Sequence, residues 1–280
     1  MKIKILSDST CDLPVQLLQQ HDISLVRLTV VKENEQFKDG STITPAEIFA
    51  HVAAGGNLCT TAANSIGEYQ EQFEKFYADY DGIVVITLGS GFSACYQNAC
   101  LAAEDYPNVR VVDSQNLSSG QGLVVLKACE LAKTASDLDE LAETLRAYTA
   151  KVEASFVVDK LDYLVKGGRC SSAAALGANL LNLKPCIEVT GGKMSVGKKH
   201  RGKYDKCLSN YIKERLEGRD DIERNVVFLT QTSVSEESYA AAKQALAEYG
   251  HFDTVYEAVA GCTISCHCGP GTLGILFVRK

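Results

Sequence analysis

"GIVVITLGSGFSACYQNA", residues 82–99, decides the fold class. It opens with a short, nearly all-apolar run, turns through glycine and serine, and continues into the helix-like "CYQNACLAAE". An apolar run without polar alternation predicts a strand covered on both faces, and such strands belong to parallel sheets flanked by helices. The same alternation extends to either side. "KIKILSD" reads as a strand, and Pro14 stands at the first turn of the helix "PVQLLQQHD". "ISLVRLTVV" reads as one further strand. Thr44-Pro45-Ala46-Glu47 and Ser65-Ile66-Gly67-Glu68 are capping boxes that open the helices "PAEIFAHVAA" and "YQEQFEKFYADY". Beyond residue 99 follow the strand "VRVVDS" and the helix "GLVVLKACELAK".

After the amphipathic "DLDELAETLRAYTAKV" the texture changes. "EASFVVD" reads as a strand, and "LDYLVKGGRCSSAAALGANLL" as two helical pieces broken at Gly167-Gly168. "PCIEVTGGKMSVGKK" is strand, Gly-Gly turn and strand, a hairpin signal. Two more strand–helix units lead to the final strand "LGILFVR". The expectation is two α/β domains, residues 1–155 with a mostly parallel sheet and residues 156–280 with a mixed or antiparallel one.

Composition narrows the function classes. Of 280 residues, 46% are apolar and 22% charged, as in an ordinary globular protein with a sizeable core. The net charge of −7 argues against a general nucleic-acid or anionic-membrane surface. No apolar run approaches the ~20 residues of a membrane span, and "MKIKILSDST" has no signal-like apolar region, so a cytoplasmic location without stable membrane insertion is expected. Eleven scattered cysteines, an odd number, read as reduced small hydrophobes and not as a disulfide framework.

Several short segments carry candidate chemistry. Gly91-Phe92-Ser93-Ala94-Cys95 resembles the G-x-S-x-G nucleophile elbow, with cysteine in the second glycine position. Asp113 and His267 keep the order of a Ser…Asp…His triad, so a serine hydrolase is one reading. A second is a loop whose hydroxyls and helix-start amides hold an anion, and a third is a helix cap with no ligand. Thr61, in "CTTAANS" ahead of the second capping box, reads by default as a turn or cap residue. Arg169 follows two glycines, where a lone arginine is commonly solvated but can also pair with a carboxylate or phosphate. Cys262, Cys266, His267 and Cys268 suggest zinc, yet no second Cys/His pair elsewhere completes a site, so no metal is expected. Gly269 to Gly274 matches G-x-G-x-x-G but precedes a strand, and no nucleotide motif is complete. Finally, Lys193, Lys198, Lys199, Arg201, Lys203 and Lys206 reverse the chain's sign locally, as a solvated hairpin or as a docking patch for an acidic partner.

Taken together, these segments resemble the DegV family, bacterial fatty-acid-binding proteins that present acyl chains to a fatty acid kinase. The resemblance runs over essentially the whole chain: "SDST" (7–10), "GSGFSACYQNA" (89–99), "VDS" (112–114), "LDYLVKGGR" (161–169) and "CHCGPGTLGI" (266–275). The family's Ser-Gly-Thr-Tyr-Gln-Ser-Ala run appears as Ser93-Ala94-Cys95-Tyr96-Gln97-Asn98-Ala99, and its Thr-Ser-x-Pro-Ser run as Thr61-Ala62-Ala63-Asn64-Ser65. The resemblance implies a DegV-like fold with a long-chain fatty acid buried between the two domains. It implies a carboxylate held by Thr61, Ser93, Arg169 and His267, with Ser65, Gly91 and Phe92 in the same loops. It implies no catalytic residue and no cofactor beyond the bound acid. A kinase catalytic subunit would dock at Arg201 and Lys203, giving the protein a role in phospholipid metabolism. The alternatives are the hydrolase and a binder of another small carboxylate.

Overall fold

A computed structural model of the chain describes residues 1–174 and 183–280. In chain order the first half contains β1 (Ile3–Asp8), α1 (Val15–Gln20), β2 (Ser24–Val26), β3 (Thr29–Lys32), β4 (Glu35–Lys38), α2 (Pro45–Ala53), β5 (Thr60–Ala62), α3 (Ile66–Tyr77), β6 (Gly82–Thr87), α4 (Cys95–Ala103), β7 (Val109–Asp113), α5 (Ser118–Ala132) and α6 (Leu138–Thr149). The second half contains β8 (Val152–Val157), α7 (Asp162–Gly167), α8 (Ser171–Ala174), β9 (Leu183–Thr190), β10 (Lys193–Arg201), α9 (Tyr204–Leu216), β11 (Ile222–Thr232), α10 (Glu236–Tyr249), β12 (Thr254–Val259), α11 (Cys262–Cys268) and β13 (Thr272–Arg279).

Strands β2-β1-β6-β7 form a parallel sheet. Every residue of β6 is buried, as its unbroken apolar run requires. Both capping boxes form as the sequence predicts: Thr44 and Ser65 accept from the amides of Glu47 and Glu68, whose carboxylates reach back. The second half builds a six-stranded mixed sheet, β10-β9-β8-β13-β11-β12, in which only β11 and β12 run parallel. The β9–β10 hairpin turns at Gly191 and Gly192, whose φ values of 54° and 73° favour glycine. The chain passes from one sheet to the other ahead of β8, so a division drawn at residue 155 falls inside that strand. The second helical piece expected after Gly167-Gly168 begins as α8, and its remainder, residues 175–182, lies outside the described residues.

One sequence expectation is corrected. "ISLVRLTVV" is not a single strand: β2 joins the parallel sheet, while β3 pairs with β4 and β5 in a separate three-stranded antiparallel sheet. The chain turns at Arg27-Leu28 because Leu28 bonds outside any ladder. Its amide donates to the Ser9 hydroxyl at 3.2 Å, and its carbonyl accepts from the Asp39 amide at 3.0 Å. This small sheet contains Thr61, which the sequence suggests is a turn residue.

Helix α5 joins the two large sheets. Residues Ser118 through Val125 are all buried, and the helix packs against β1 and β6 on one side and β8 and β13 on the other. Its first two turns have no solvent face and sit in an interior, while the solvated Lys127–Glu130 pair lies in the C-terminal half. Its polar groups are correspondingly paired: the Gln121 amide donates to the Ser7 hydroxyl at 2.9 Å and its carbonyl accepts from Thr10 at 2.8 Å. One apolar core therefore runs continuously from Val84 and Ile86 through Val124 to Phe156 and Leu276.

Candidate functional site

Five separate elements converge on one cavity. Thr61 comes from β5, Phe92 and Ser93 from the loop after β6, Met194 from β10, and Thr263, Ile264, His267 and Cys268 from one face of α11. Arg169 follows Gly168, whose left-handed φ of 69° ends α7 and turns the chain outward. The cavity encloses about 500 Å³, open solvent at its mouth included. Two glycines permit the close approaches around it. A Cβ on Gly167 would stand 2.6 Å from Nδ1 of His267, and one on Gly91 would stand 2.1 Å from the carbonyl oxygen of Gly192 in the hairpin turn.

His267 is the electrostatic pivot. Burial, with a smaller contribution from the Arg169 charge, pushes its imidazole down to about 4, so the ring is neutral at physiological pH. Nε2 lies 2.8 Å from the Thr61 hydroxyl, while the buried Nδ1 has no partner among the described residues. The tautomer protonated at Nε2 leaves only an acceptor unpaired, whereas the other would strand an N–H donor. His267 thus donates to Oγ1 of Thr61, and the threonine proton is left to point into the cavity. The Ser93 hydroxyl donates to the weak acceptor Sγ of Cys95 at 3.2 Å, and can exchange that partner for a better one. Arg169 is exposed at the mouth and bonds the Gly167 carbonyl at 2.8 Å through Nη1. Two hydroxyl protons and a guanidinium therefore border a space suited to an anionic oxygen group.

Adjoining this cavity is a more uniformly apolar one of about 340 Å³, open solvent included, and the two share Leu117, Ile264 and Cys268 as walls. Its far side includes Phe156, Gly274 and Leu276. Several hydroxyls line it, yet each is engaged elsewhere. Ser155 pairs with Tyr211 at 2.8 Å, Thr230 with Ser119 at 2.7 Å, and Ser118 with Asp12 at 2.5 Å. Thr232 and Thr272 donate to the carbonyls of Gly269 and Cys268 at 2.5 and 2.9 Å. What they present to the cavity is carbon.

Of the residues expected from the sequence, Thr61, Phe92, Ser93, Arg169 and His267 share this cavity. Ser65 does not line it and serves as the N-cap of α3. Gly91 lies beside it, beneath the hairpin turn. Arg201 and Lys203 are exposed at the end of β10. The serine-hydrolase triad does not assemble. Asp113 accepts from Ser90 at 2.5 Å, His267 bonds Thr61, and no acid orients Nδ1. Among the described residues no group of three His, Cys, Asp or Glu side chains could hold a metal ion. Cys262 instead faces the Ile43 carbonyl, 3.1 Å away. Sequence reasoning missed Met194, Thr263, Ile264 and Leu117. A usable signal existed for two of them: read as a helix, "CTISCHC" puts Thr263 and Ile264 one turn before His267 and Cys268, on the same face.

Comparison with known proteins places the chain. Residues 2–280 match the family model described as "Uncharacterised protein, DegV family", and the chain belongs to the DegV family. A DegV domain-containing protein of Caldanaerobacter subterraneus subsp. tengcongensis is 31% identical over 283 residues, covering 100% of this chain and 99% of that one. Among solved structures, a DegV family protein from Thermus thermophilus, described for its fatty acid binding, superposes with a TM-score of 0.90 at 28% identity, covering 100% of both chains. DegV of Bacillus subtilis, described as a fatty acid binding protein, superposes with a TM-score of 0.84 at 29% identity, again covering 100% of both chains. No helix among the described residues is long and apolar enough to cross a membrane.

Proposed function

We propose that this DegV-family chain is a non-catalytic cytoplasmic carrier of a long-chain fatty acid, held between an N-terminal and a C-terminal α/β domain. Thr61, Ser93 and Arg169 receive the carboxylate, and His267 orients the threonine. The acyl chain passes Leu117, Ile264 and Cys268 and ends toward Phe156 and Leu276. The observation that carries this reading is the pairing of cavities: one offers the Thr61 hydroxyl and the weakly engaged Ser93 hydroxyl beside a guanidinium, and the next offers carbon. An amphiphile with a single anionic head matches that order, and a small polar carboxylate does not.

The energetics agree. Burying ~14 methylenes contributes on the order of 11 kcal/mol before ordering costs, at roughly 0.8 kcal/mol each. A carboxylate drawn in with them is costly unless hydrogen-bonded and charge-compensated, which explains hydroxyls and an arginine at one end only. The protein needs no cofactor of its own.

The bound acid is then presented to a fatty acid kinase catalytic subunit, which moves the γ-phosphoryl group of ATP onto a carboxylate oxygen and releases ADP. Arg201 and Lys203 are the docking residues. Both are exposed, Arg201 at the end of β10 and Lys203 just ahead of α9, and together they offer an acidic partner a basic corner on a chain of net charge −7. Native mass spectrometry of freshly purified protein, followed by extraction and lipid identification, tests the carrier reading. A stoichiometric long-chain fatty acid is expected. An empty protein that also ignores added hexadecanoic acid overturns it.

A further inference from the structure

Helix α11 carries His267 near its C-terminal end, and its N-terminal amides are not capped locally. Its N-cap is Gly261, which has no side chain to accept from them. Two aspartate side chains from the other half of the chain take that place. Asp12 accepts from the Gly261 amide at 2.8 Å, and Asp39 accepts from the Cys262 amide at 2.8 Å through Oδ1. Oδ2 of Asp39 accepts from the Thr263 hydroxyl at 2.7 Å, from the Ser9 hydroxyl at 3.0 Å and from the Thr263 amide at 3.3 Å. Asp39 is only 2% exposed, and its own backbone is fixed from both sides. Its amide donates to the Leu28 carbonyl at 3.0 Å, and its carbonyl accepts from Arg27 at 2.7 Å.

The position of Asp39 matters more than its strength as a cap. It directly follows β4, in the three-stranded sheet whose β5 carries Thr61. Helix α11 is therefore pinned to that sheet at both ends, by Asp39 at the start and by the 2.8 Å contact between His267 and Thr61 near the finish. Seven helical residues form a rod of roughly 10 Å, so a tilt at one end is a displacement at the other. A hydrogen bond weakens steeply once it lengthens beyond about 3.2 Å, so a small tilt is enough to break the far contact.

We infer that Asp39, supported by Asp12, is a positioning residue for the carboxylate site. It sets the tilt of α11 that brings Nε2 of His267 onto the Thr61 hydroxyl, and so fixes where the threonine proton points. The inference rests on the carrier reading for its binding assay, but one of its readouts needs no ligand.

The test is a double-mutant cycle. Asp39→Asn keeps the side-chain size but turns an amide NH₂ group toward donors. In the otherwise native protein it should weaken hexadecanoic acid binding by tenfold or more, and 1-hexadecanol, which lacks the carboxylate, by less than threefold. In a His267→Ala background Asp39→Asn should change acid affinity by less than twofold, because the contact it serves is already gone. Without ligand, imidazole NMR of Asp39→Asn should show the His267 titration moving up from its depressed value toward the ordinary histidine range. Ser9→Ala, which removes one donor from Asp39, should give the same pattern with a smaller loss if Asp39→Asn folds poorly. Equal losses for acid and alcohol, additivity with His267→Ala, or an unmoved His267 titration would each assign Asp39 to stability alone. A wild-type protein that ignores hexadecanoic acid would refute the carrier reading, and the NMR titration would then decide the positioning role by itself.

Discussion

Thr61→Val is the perturbation that most directly interrogates the site. Valine replaces the hydroxyl with a methyl of similar size on a β-strand, where a β-branched residue is at home, so the backbone of β5 should hold. Two interactions disappear together. The ligand carboxylate loses a charge-assisted hydrogen bond, a contribution of about 1.5–3 kcal/mol. His267 loses the partner of Nε2, and since Nδ1 has none among the described residues, the half-buried ring keeps no hydrogen bond to any of them. That second loss falls on the free and bound forms alike and lowers stability by about 1–3 kcal/mol. Fatty-acid affinity should therefore fall roughly 10- to 150-fold, at ~1.4 kcal/mol per factor of ten. Affinity for 1-hexadecanol should fall much less, because an uncharged head group loses only a neutral hydrogen bond. Calorimetric titration of both ligands against wild type and variant gives the comparison. An unchanged affinity for the acid, or an equal loss for acid and alcohol, would refute the assignment of Thr61 to the carboxylate.

Four further outcomes are expected. His267 is held neutral in the folded protein, down from 6.5 to about 4, whereas the unfolded chain takes up that proton below 6.5. Folding stability therefore falls as pH drops from 6.5 toward 4, by at most about 3 kcal/mol from this residue. Burial raises Asp8 to about 6 and Asp12 to about 8, and their stabilisation has the opposite sign, lost as pH rises through those values. Comparing urea denaturation of wild type and His267→Gln between pH 7 and 4 isolates the histidine, and parallel curves would contradict its buried neutral state. Phe156→Leu deepens the apolar cavity and should shift the co-purifying acid toward longer chains, read by lipid extraction; an unchanged lipid profile would remove Phe156 from the end wall. Gly91→Ala puts a Cβ 2.1 Å from the Gly192 carbonyl, so the loop and the hairpin turn must separate. A cost of about 1–3 kcal/mol and weaker acid binding should follow, measured by thermal denaturation and titration. Arg201→Glu should reduce acyl-phosphate formation by the kinase while fatty-acid binding stays native, and undiminished turnover would dismiss the docking surface.

By itself the sequence determined the layer class and most of the elements. The unbroken apolar run of β6 has no polar face to offer water, so it could only be an interior strand of a parallel sheet. The Thr44 and Ser65 boxes fix two helix starts through contacts three residues apart, and the Gly191-Gly192 turn fixes a hairpin through backbone conformation alone. Such signals are local, and local chemistry is what a sequence displays. The resemblance of its motifs also picked out Thr61, Ser93, Arg169 and His267, though nothing in their spacing says that they meet.

Tertiary structure decided what depends on distant partners. The split of "ISLVRLTVV" follows from Leu28 bonding to Ser9 and Asp39, and neither bond leaves a trace in the local pattern. Thr61 and His267 stand 206 positions apart, and their contact exists because the small sheet and α11 are pinned together by Asp39. The apolar character of the second cavity is equally invisible beforehand. Ser118, Ser155, Thr230, Thr232 and Thr272 read as polar residues in the chain, and they become a carbon-lined wall only because every hydroxyl finds its partner on another element or turn. Composition records which groups are available to hydrogen-bond; only the fold decides which of them remain available to a ligand.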